Sequence, residues 1–262
     1  MKADINGTTF AYSDRGNGLS LVLIHGFPLC RKMWRPQAEA LAKAGCRVIT
    51  PDLRGFGESG LGSGTVNMDV YADDIVALLD HLGIDRAVVG GMSMGGYVLF
   101  NLLERHPDRV AVPLFIVTKA GGDDEAGKAR RTALADAARN QGSLPVAEVF
   151  RSVLFAPATL TEAPELVKEV FGWMRATAPL GAAAGLIAMR DRKDYAPLLG
   201  TFSQPALVIG ADQDQAIPGD NSRIIAEGLP DAKLCVLPGG HMVNLEQPQA
   251  FNKAIVEFLA GL

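Results

Sequence analysis

Val88-Val89-Gly90-Gly91-Met92-Ser93-Met94-Gly95-Gly96-Tyr97, or VVGGMSMGGY, leaves one apolar segment and opens another, with four glycines around one serine. Such a stretch serves as a phosphate cradle, a flexible joint or a mount for a reactive serine. A dinucleotide turn needs Gly-x-Gly-x-x-Gly, but Ser93 stands two places after Gly91 and Met92 two places after Gly90. A P-loop needs Lys and then Ser or Thr after its last glycine, where this chain has Gly96 and Tyr97. What fits is Gly91-Met92-Ser93-Met94-Gly95, the G-x-S-x-G elbow, in which a serine is bent onto a tight strand-to-helix turn. Residues two before and two after that serine approach each other, so both must be small. The helix that follows aims its unpaired N–H groups and positive dipole end at the site. An ordinary strand–helix turn can carry the same letters, so the elbow gains weight only from partners elsewhere in the chain.

Working outward, Asn6-Gly7 is a two-residue turn signal between Lys2–Ile5 and Thr8–Ser13. Short apolar runs at Leu21–Ile24, Cys46–Thr50, Arg86–Gly90 and Val110–Val117 read as strands. They alternate with helical patterns at Lys32–Lys43, Val66–Leu82 and Met94–Arg105. From about Gly121 to Phe202 the alternation stops, and helical segments near Glu125–Asn140, Val146–Leu154, Pro164–Thr177 and Leu180–Arg190 follow without a convincing strand. It resumes with strand Ala206–Ile209, helix Asp220–Leu229, strand Lys233–Leu237 and helix Pro248–Leu259. Strands apolar on both faces, alternating with helices, predict a mostly parallel sheet covered on both sides. The expected organisation is an α/β core of residues 1–120 and 203–262 with a helical insertion at 121–202. In such a sheet ligands bind beyond the carboxyl ends of the strands, so the residues just after each strand carry the chemistry.

Composition narrows the function. The chain has 262 residues, 48% of them hydrophobic, enough for a sizeable core without covalent staples. A net charge of -4 without a Lys/Arg cluster argues against nucleic acid, a membrane surface or a polyanionic substrate. Cys30, Cys46 and Cys235 are odd in number and scattered, which disfavours both a disulfide framework and a zinc site. The polar start MKADINGTTFAYSDRG lacks the apolar run of a secretory signal, and no segment reaches about 18 consecutive apolar residues. The cytoplasm is the expected compartment. Nothing in the sequence speaks to oligomeric state.

A nucleophilic serine needs a base, and there are four histidines. His81 and His106 fall in or at the ends of helices, and His25 reads as a core histidine bracing its loop. His241 follows strand Lys233–Leu237 through Pro238-Gly239-Gly240, a turn that delivers it to the ligand side of the sheet. The base in turn needs an orienting carboxylate, and Asp212 and Asp214 both lie just after strand Ala206–Ile209. An oxyanion hole takes one N–H from the residue after the nucleophile, here Met94, and one from the early loop His25-Gly26-Phe27-Pro28. Proline has no N–H, which leaves Phe27 as the donor of that loop.

Five motifs in order, HGFP, PDLRGFGES at Pro51–Ser59, GMSMGG, GADQDQAIP and GGHMVNLEQP, resemble the α/β-hydrolase superfamily over residues 4–260. Within it the chain is similar to the small esterase, enol-lactonase and cofactor-free perhydrolase branch. The resemblance implies an α/β-hydrolase fold, with a mostly parallel eight-stranded sheet, helices on both faces and the insertion serving as a helical lid. It implies a catalytic triad of Ser93, Asp214 and His241, since the acid in that pattern stands four residues before the proline of its loop. That loop is one residue longer than the pattern from its glycine, so Asp212 remains an alternative. No acid follows Val110–Val117, where Thr118 and Lys119 stand. The implied activity is hydrolysis of a small carboxylic ester or lactone through an acyl-enzyme, with no cofactor and no metal.

Perhydrolysis or halide oxidation would use the same triad with peroxide in place of water. A hydroxynitrile lyase usually carries a lysine beside its histidine, where this chain has Met242, and a ligand receptor on this scaffold often loses base or acid. Val243, Trp173 and Lys119 are expected to touch substrate, Lys119 being of interest if that substrate carries a carboxylate; Phe150, Leu154, Phe171 and Met174 read more simply as lid core.

Overall fold

Asn6 and Gly7 take positive φ angles of 48° and 71°, which turns strand β1 (Lys2–Ile5) back on β2 (Thr8–Gly16) with Ile5 opposite Thr8. This hairpin opens a computed structural model that describes residues 1–262. β3 (Leu19–Ile24) is followed by a 3₁₀ turn at Arg31–Trp34 and by helix α1 (Arg35–Lys43), whose first turn contains Pro36. Then come β4 (Cys46–Pro51), α2 (Met68–His81), β5 (Ala87–Met92), α3 (Met94–Arg105) and β6 (Val110–Ile116). The expected helix over Val66–Leu82 starts at Met68 because the Asn67 side chain caps it, accepting from the N–H of Val70 at 2.9 Å.

Between β6 and β7 (Ala206–Ala211) lie five helices and no strand: α4 (Glu125–Gln141), α5 (Leu144–Arg151), α6 (Pro157–Glu162), α7 (Pro164–Ala176) and α8 (Pro179–Arg190). Proline stands in the first turn of the last four, where a missing N–H costs no helical hydrogen bond. The chain closes with α9 (Asp220–Gly228), β8 (Ala232–Leu237), α10 (Val243–Glu246) and α11 (Pro248–Leu259). The sequence pattern gave no sign of α6 or α10. Helices of one turn or so are too short to show a period.

The eight strands run β1-β2-β4-β3-β5-β6-β7-β8 across one sheet, with β1, β2 and β4 paired antiparallel and every other pair parallel. Side chains alternate between two cores, as the pleat requires. Leu21, Leu23, Leu207 and Ile209 face the side covered by α1 and α11, where Trp34 and Phe251 pack. Val22, Ile24 and Val208 face the side covered by α2, α3 and α9. From β3 the chain passes to β4 on one side and later to β5 on the other. That reversal opens a crevice at the carboxyl ends of β3 and β5, the place where open α/β sheets bind ligands. No helix is long and apolar enough to cross a membrane.

Candidate active site

β5 delivers Ser93 to this crevice, and α3 starts at the next residue. Ser93 sits at φ 54°, ψ -113°, a conformation that costs a non-glycine residue about 1–3 kcal/mol and persists only when its surroundings enforce it. The enforcement is visible. Its N–H donates to the Ile116 carbonyl at 3.0 Å, and its own carbonyl accepts from the Thr118 hydroxyl at 2.8 Å and the Gly96 N–H at 2.9 Å. A Cβ on Gly91 would overlap the carbonyl of Gly95, and one on Gly95 would overlap the carbonyl of Ile24. The two glycines of the elbow are therefore needed for close backbone approach. Ser93 is half-buried and so open to a reactant.

The loop after β3 lies against the serine, since a Cβ on Gly26 would come within 3.4 Å of Ser93 Cβ. The N–H groups of Phe27 and Met94 make no hydrogen bond within the protein, while Gly96 and Tyr97 return theirs to the Ser93 carbonyl. Two unpaired donors thus flank the elbow, one from the early loop and one from the first turn of α3. His25 holds the early loop from inside. Its Nε2 accepts from the Leu53 N–H at 2.9 Å and its Nδ1 donates to the Gly26 carbonyl at 2.8 Å, which makes it the neutral Nδ1–H tautomer. Burial pushes its pKa below the ordinary imidazole value, so the neutral form is the native one.

His241 and Asp214 meet beyond the ends of β8 and β7, with Nδ1 to Oδ2 at 2.6 Å and side chains 2% and 1% exposed. The other oxygen of Asp214 accepts from the N–H groups of Ala216 and Ile217, both at 2.8 Å. Three donors on one buried carboxylate fix its orientation and keep the histidine's proton on Nδ1, leaving Nε2 as the free acceptor. Asp212 is exposed, and its carboxylate accepts from the Gly239 N–H at 3.0 Å. It ties the loop after β7 to the turn after β8 and does not touch the histidine. Of the two carboxylates that the sequence left open, the fold brings Asp214 to His241.

The three expected substrate contacts lie in different places. Val243 is 0% exposed and packs in the core on the α11 side of the sheet, so it presents no surface to a reactant. Trp173 lines a cavity of about 100 Å³ with Cys30, Arg31, Asp52, Glu58 and Thr177, a lining that includes neither Ser93 nor His241. Lys119 borders a cavity of about 270 Å³ between the inserted helices and the loop after β7, where its ammonium lies 3.0 Å from Asp123. Phe27 is buried with its ring in edge contact with Phe56 and Phe150, at centroid distances of 5.8 and 5.1 Å.

Glu246 escaped the sequence reading. One of its oxygens accepts from the Gly240 N–H at 2.7 Å, next to His241; the other accepts from the Ala156 N–H at 2.8 Å and the Thr159 hydroxyl at 2.6 Å. On the far side of the histidine, the Met242 N–H donates to the Leu154 carbonyl at 2.9 Å. The histidine loop is thus fastened on both sides to the segment joining α5 and α6. An acid five residues after a histidine, just before Gln-Pro, was the only sequence signal.

The profile of the alpha/beta hydrolase fold family matches residues 20–248. The chain is 32% identical to 3-oxoadipate enol-lactonase 2 of Acinetobacter baylyi, over 96% of this chain and 91% of that one. It is 30% identical to non-heme chloroperoxidase CPO-A1 of Kitasatospora aureofaciens, over 97% of each. Among solved structures, a thermophilic esterase from Thermogutta terrifontis superposes with a TM-score of 0.96 at 35% identity, covering 100% of this chain and 98% of that one. Elbow, reversed strand order and family profile agree: the chain belongs to the alpha/beta hydrolase fold family.

Proposed function

We propose that the protein is a serine hydrolase that cleaves a small carboxylic ester or lactone through an acyl-enzyme, with Ser93 as nucleophile, His241 as base and Asp214 as its orienter. The observation that carries this reading is the buried 2.6 Å pair of His241 and Asp214 on the crevice where the strained Ser93 stands half-exposed. His241 Nε2 takes the hydroxyl proton as Ser93 Oγ attacks the carbonyl carbon, and Asp214 stabilises the imidazolium that forms. The N–H groups of Phe27 and Met94 receive the oxyanion, one such donor typically contributing about 2.7–4 kcal/mol. The imidazolium then protonates the departing alkoxide. Water, deprotonated by His241, attacks the acyl-enzyme and releases the acid.

In this reading residues 121–202 form a lid on a core of residues 1–120 and 203–262. The hydrogen bonds from Met242 to Leu154, and from Thr177 Oγ1 to the Pro28 carbonyl at 2.9 Å, support such docking. Turnover of a series of p-nitrophenyl esters and simple lactones tests the function. Ser93→Ala should lower kcat on the order of 10⁶-fold while leaving the fold intact; a variant keeping a tenth of the activity would refute the role of Ser93. The chloroperoxidase relative favours a second use of the same triad, in which peroxide replaces water on the acyl-enzyme. Peracid formation from hydrogen peroxide and acetate, abolished by Ser93→Ala, would reveal it.

A further inference from the structure

The cavity beside Lys119 carries charge for which ester cleavage alone has no use. Its walls adjoin Asp214 and the Phe27 ring. Ala216 donates its N–H to Asp214, Phe150 packs on Phe27, and Leu186 follows Gly185, which lies against the Phe27 ring. Lys119 itself follows Thr118, whose hydroxyl bonds the Ser93 carbonyl. The cavity therefore lies beside the crevice of the serine, between α4, α5 and α8.

Its other wall is basic. Lys119, Arg131 and Arg192 all converge on the single carboxylate of Asp123, with Lys119 at 3.0 Å and Arg192 at 2.7 Å. Arg130 stands exposed on the rim with no ion pair. Although burial works against it, the guanidinium groups of Arg192 and Arg131 hold the Asp123 carboxyl far below the usual carboxylate range. The neighbouring acids are engaged elsewhere: Asp124 caps α4 through the Gly127 N–H, and Glu125 pairs with Lys128. Three cations, Lys119, Arg130 and Arg131, line the cavity against the one anion Asp123, with Arg192 buried behind that carboxylate, in a protein whose net charge is -4. This local excess is a property of the cavity, not of the bulk composition.

We infer that this cavity receives a carboxylate carried by the substrate, so that the preferred substrates are half-esters of dicarboxylic acids. The inference rests on the serine-hydrolase reading. Lys119 and Arg131 are half-buried, where a charge is screened less than on open surface, and Arg130 supplies an unengaged guanidinium able to grip a carboxylate with two hydrogen bonds. The apolar side chains of Phe150 and Leu186 would line the carbon chain between the acid and the scissile carbonyl.

The test compares kcat/KM for monoethyl and diethyl esters of succinate, glutarate and adipate, using the full chain at low ionic strength. The monoester of the best length should exceed its diester by about tenfold or more, and the advantage should shrink as salt is added. Arg130→Gln and Lys119→Met should each erode that ratio, and the double variant should bring it to about one. Arg130 is exposed, so its replacement leaves the fold standing even if Lys119→Met disturbs it. Equal kcat/KM for both ester types, or a monoester preference that survives the double variant, overturns the inference and leaves the hydrolase reading intact. Failure to turn over either type or any p-nitrophenyl ester overturns both.

Discussion

Asp214→Asn separates the two carboxylates beyond β7 in one experiment. The carboxylate accepts two backbone N–H groups on Oδ1 and the histidine on Oδ2. Asparagine keeps one acceptor oxygen and replaces the other with an amide that only donates. The N–H groups of Ala216 and Ile217 are fixed donors, so the asparagine oxygen must face them and its NH₂ must face His241 Nδ1. The imidazole then accepts on Nδ1 and carries its proton on Nε2, where it cannot take a proton from Ser93. With this wrong tautomer kcat should fall on the order of 10⁴-fold, about 5.4 kcal/mol of barrier at 1.36 kcal/mol per decade. Stability should change much less, because both backbone hydrogen bonds survive and only their charge assistance is lost, about 1 kcal/mol. Initial rates on a p-nitrophenyl ester, with thermal unfolding of the same samples, read both quantities. Asp212→Asn is the matched control: its carboxylate is exposed and holds only the Gly239 N–H, so activity should stay within about threefold. An Asp214→Asn variant that keeps more than a tenth of the activity would refute the reasoning, as would a loss of similar size at Asp212.

Two further outcomes follow from the hydrogen bonding around the site. Glu246→Ala strands the Gly240 and Ala156 N–H groups and the Thr159 hydroxyl, and should cost about 2–4 kcal/mol with kcat falling more than KM rises, read by thermal unfolding and ester kinetics; an unchanged Tm would mean that the carboxylate does not hold the loop in solution. His25 binds protons less readily in the folded protein than in the unfolded chain. Folding stability should therefore be constant above about pH 6.5 and fall below it by up to about 1.4 kcal/mol per pH unit, until the folded form itself takes up the proton. Urea midpoints between pH 7.5 and pH 5 measure this, and in His25→Gln that part of the slope should vanish.

Much of this protein was legible in its sequence because the signals are local. The near-continuous apolar runs of β3, β5 and β7 must be covered on both faces, Asn6-Gly7 closes its hairpin, and Gly91 and Gly95 leave room for a bent Ser93. The order in which serine, acid and histidine follow β5, β7 and β8 is likewise a property of the chain, which is why Ser93, His241 and a carboxylate at Asp212 or Asp214 could be named before any contact was known. The tertiary structure decided what depends on partners distant in sequence or on the aim of a side chain within a turn. Asp212 and Asp214 are chemically alike and two residues apart; the N–H groups of Ala216 and Ile217 and the approach of His241, 27 positions on, separate them. Val243 adjoins the histidine in sequence yet is fully buried in the core on the α1 and α11 side of the sheet. Glu246 matters only because the fold carries Ala156 and Thr159 to it across about ninety residues. The basic wall beside Lys119 exists for the same reason: α4 and the end of α8 bring Arg131 and Arg192 onto one buried carboxylate, and no spacing along the chain encodes that meeting.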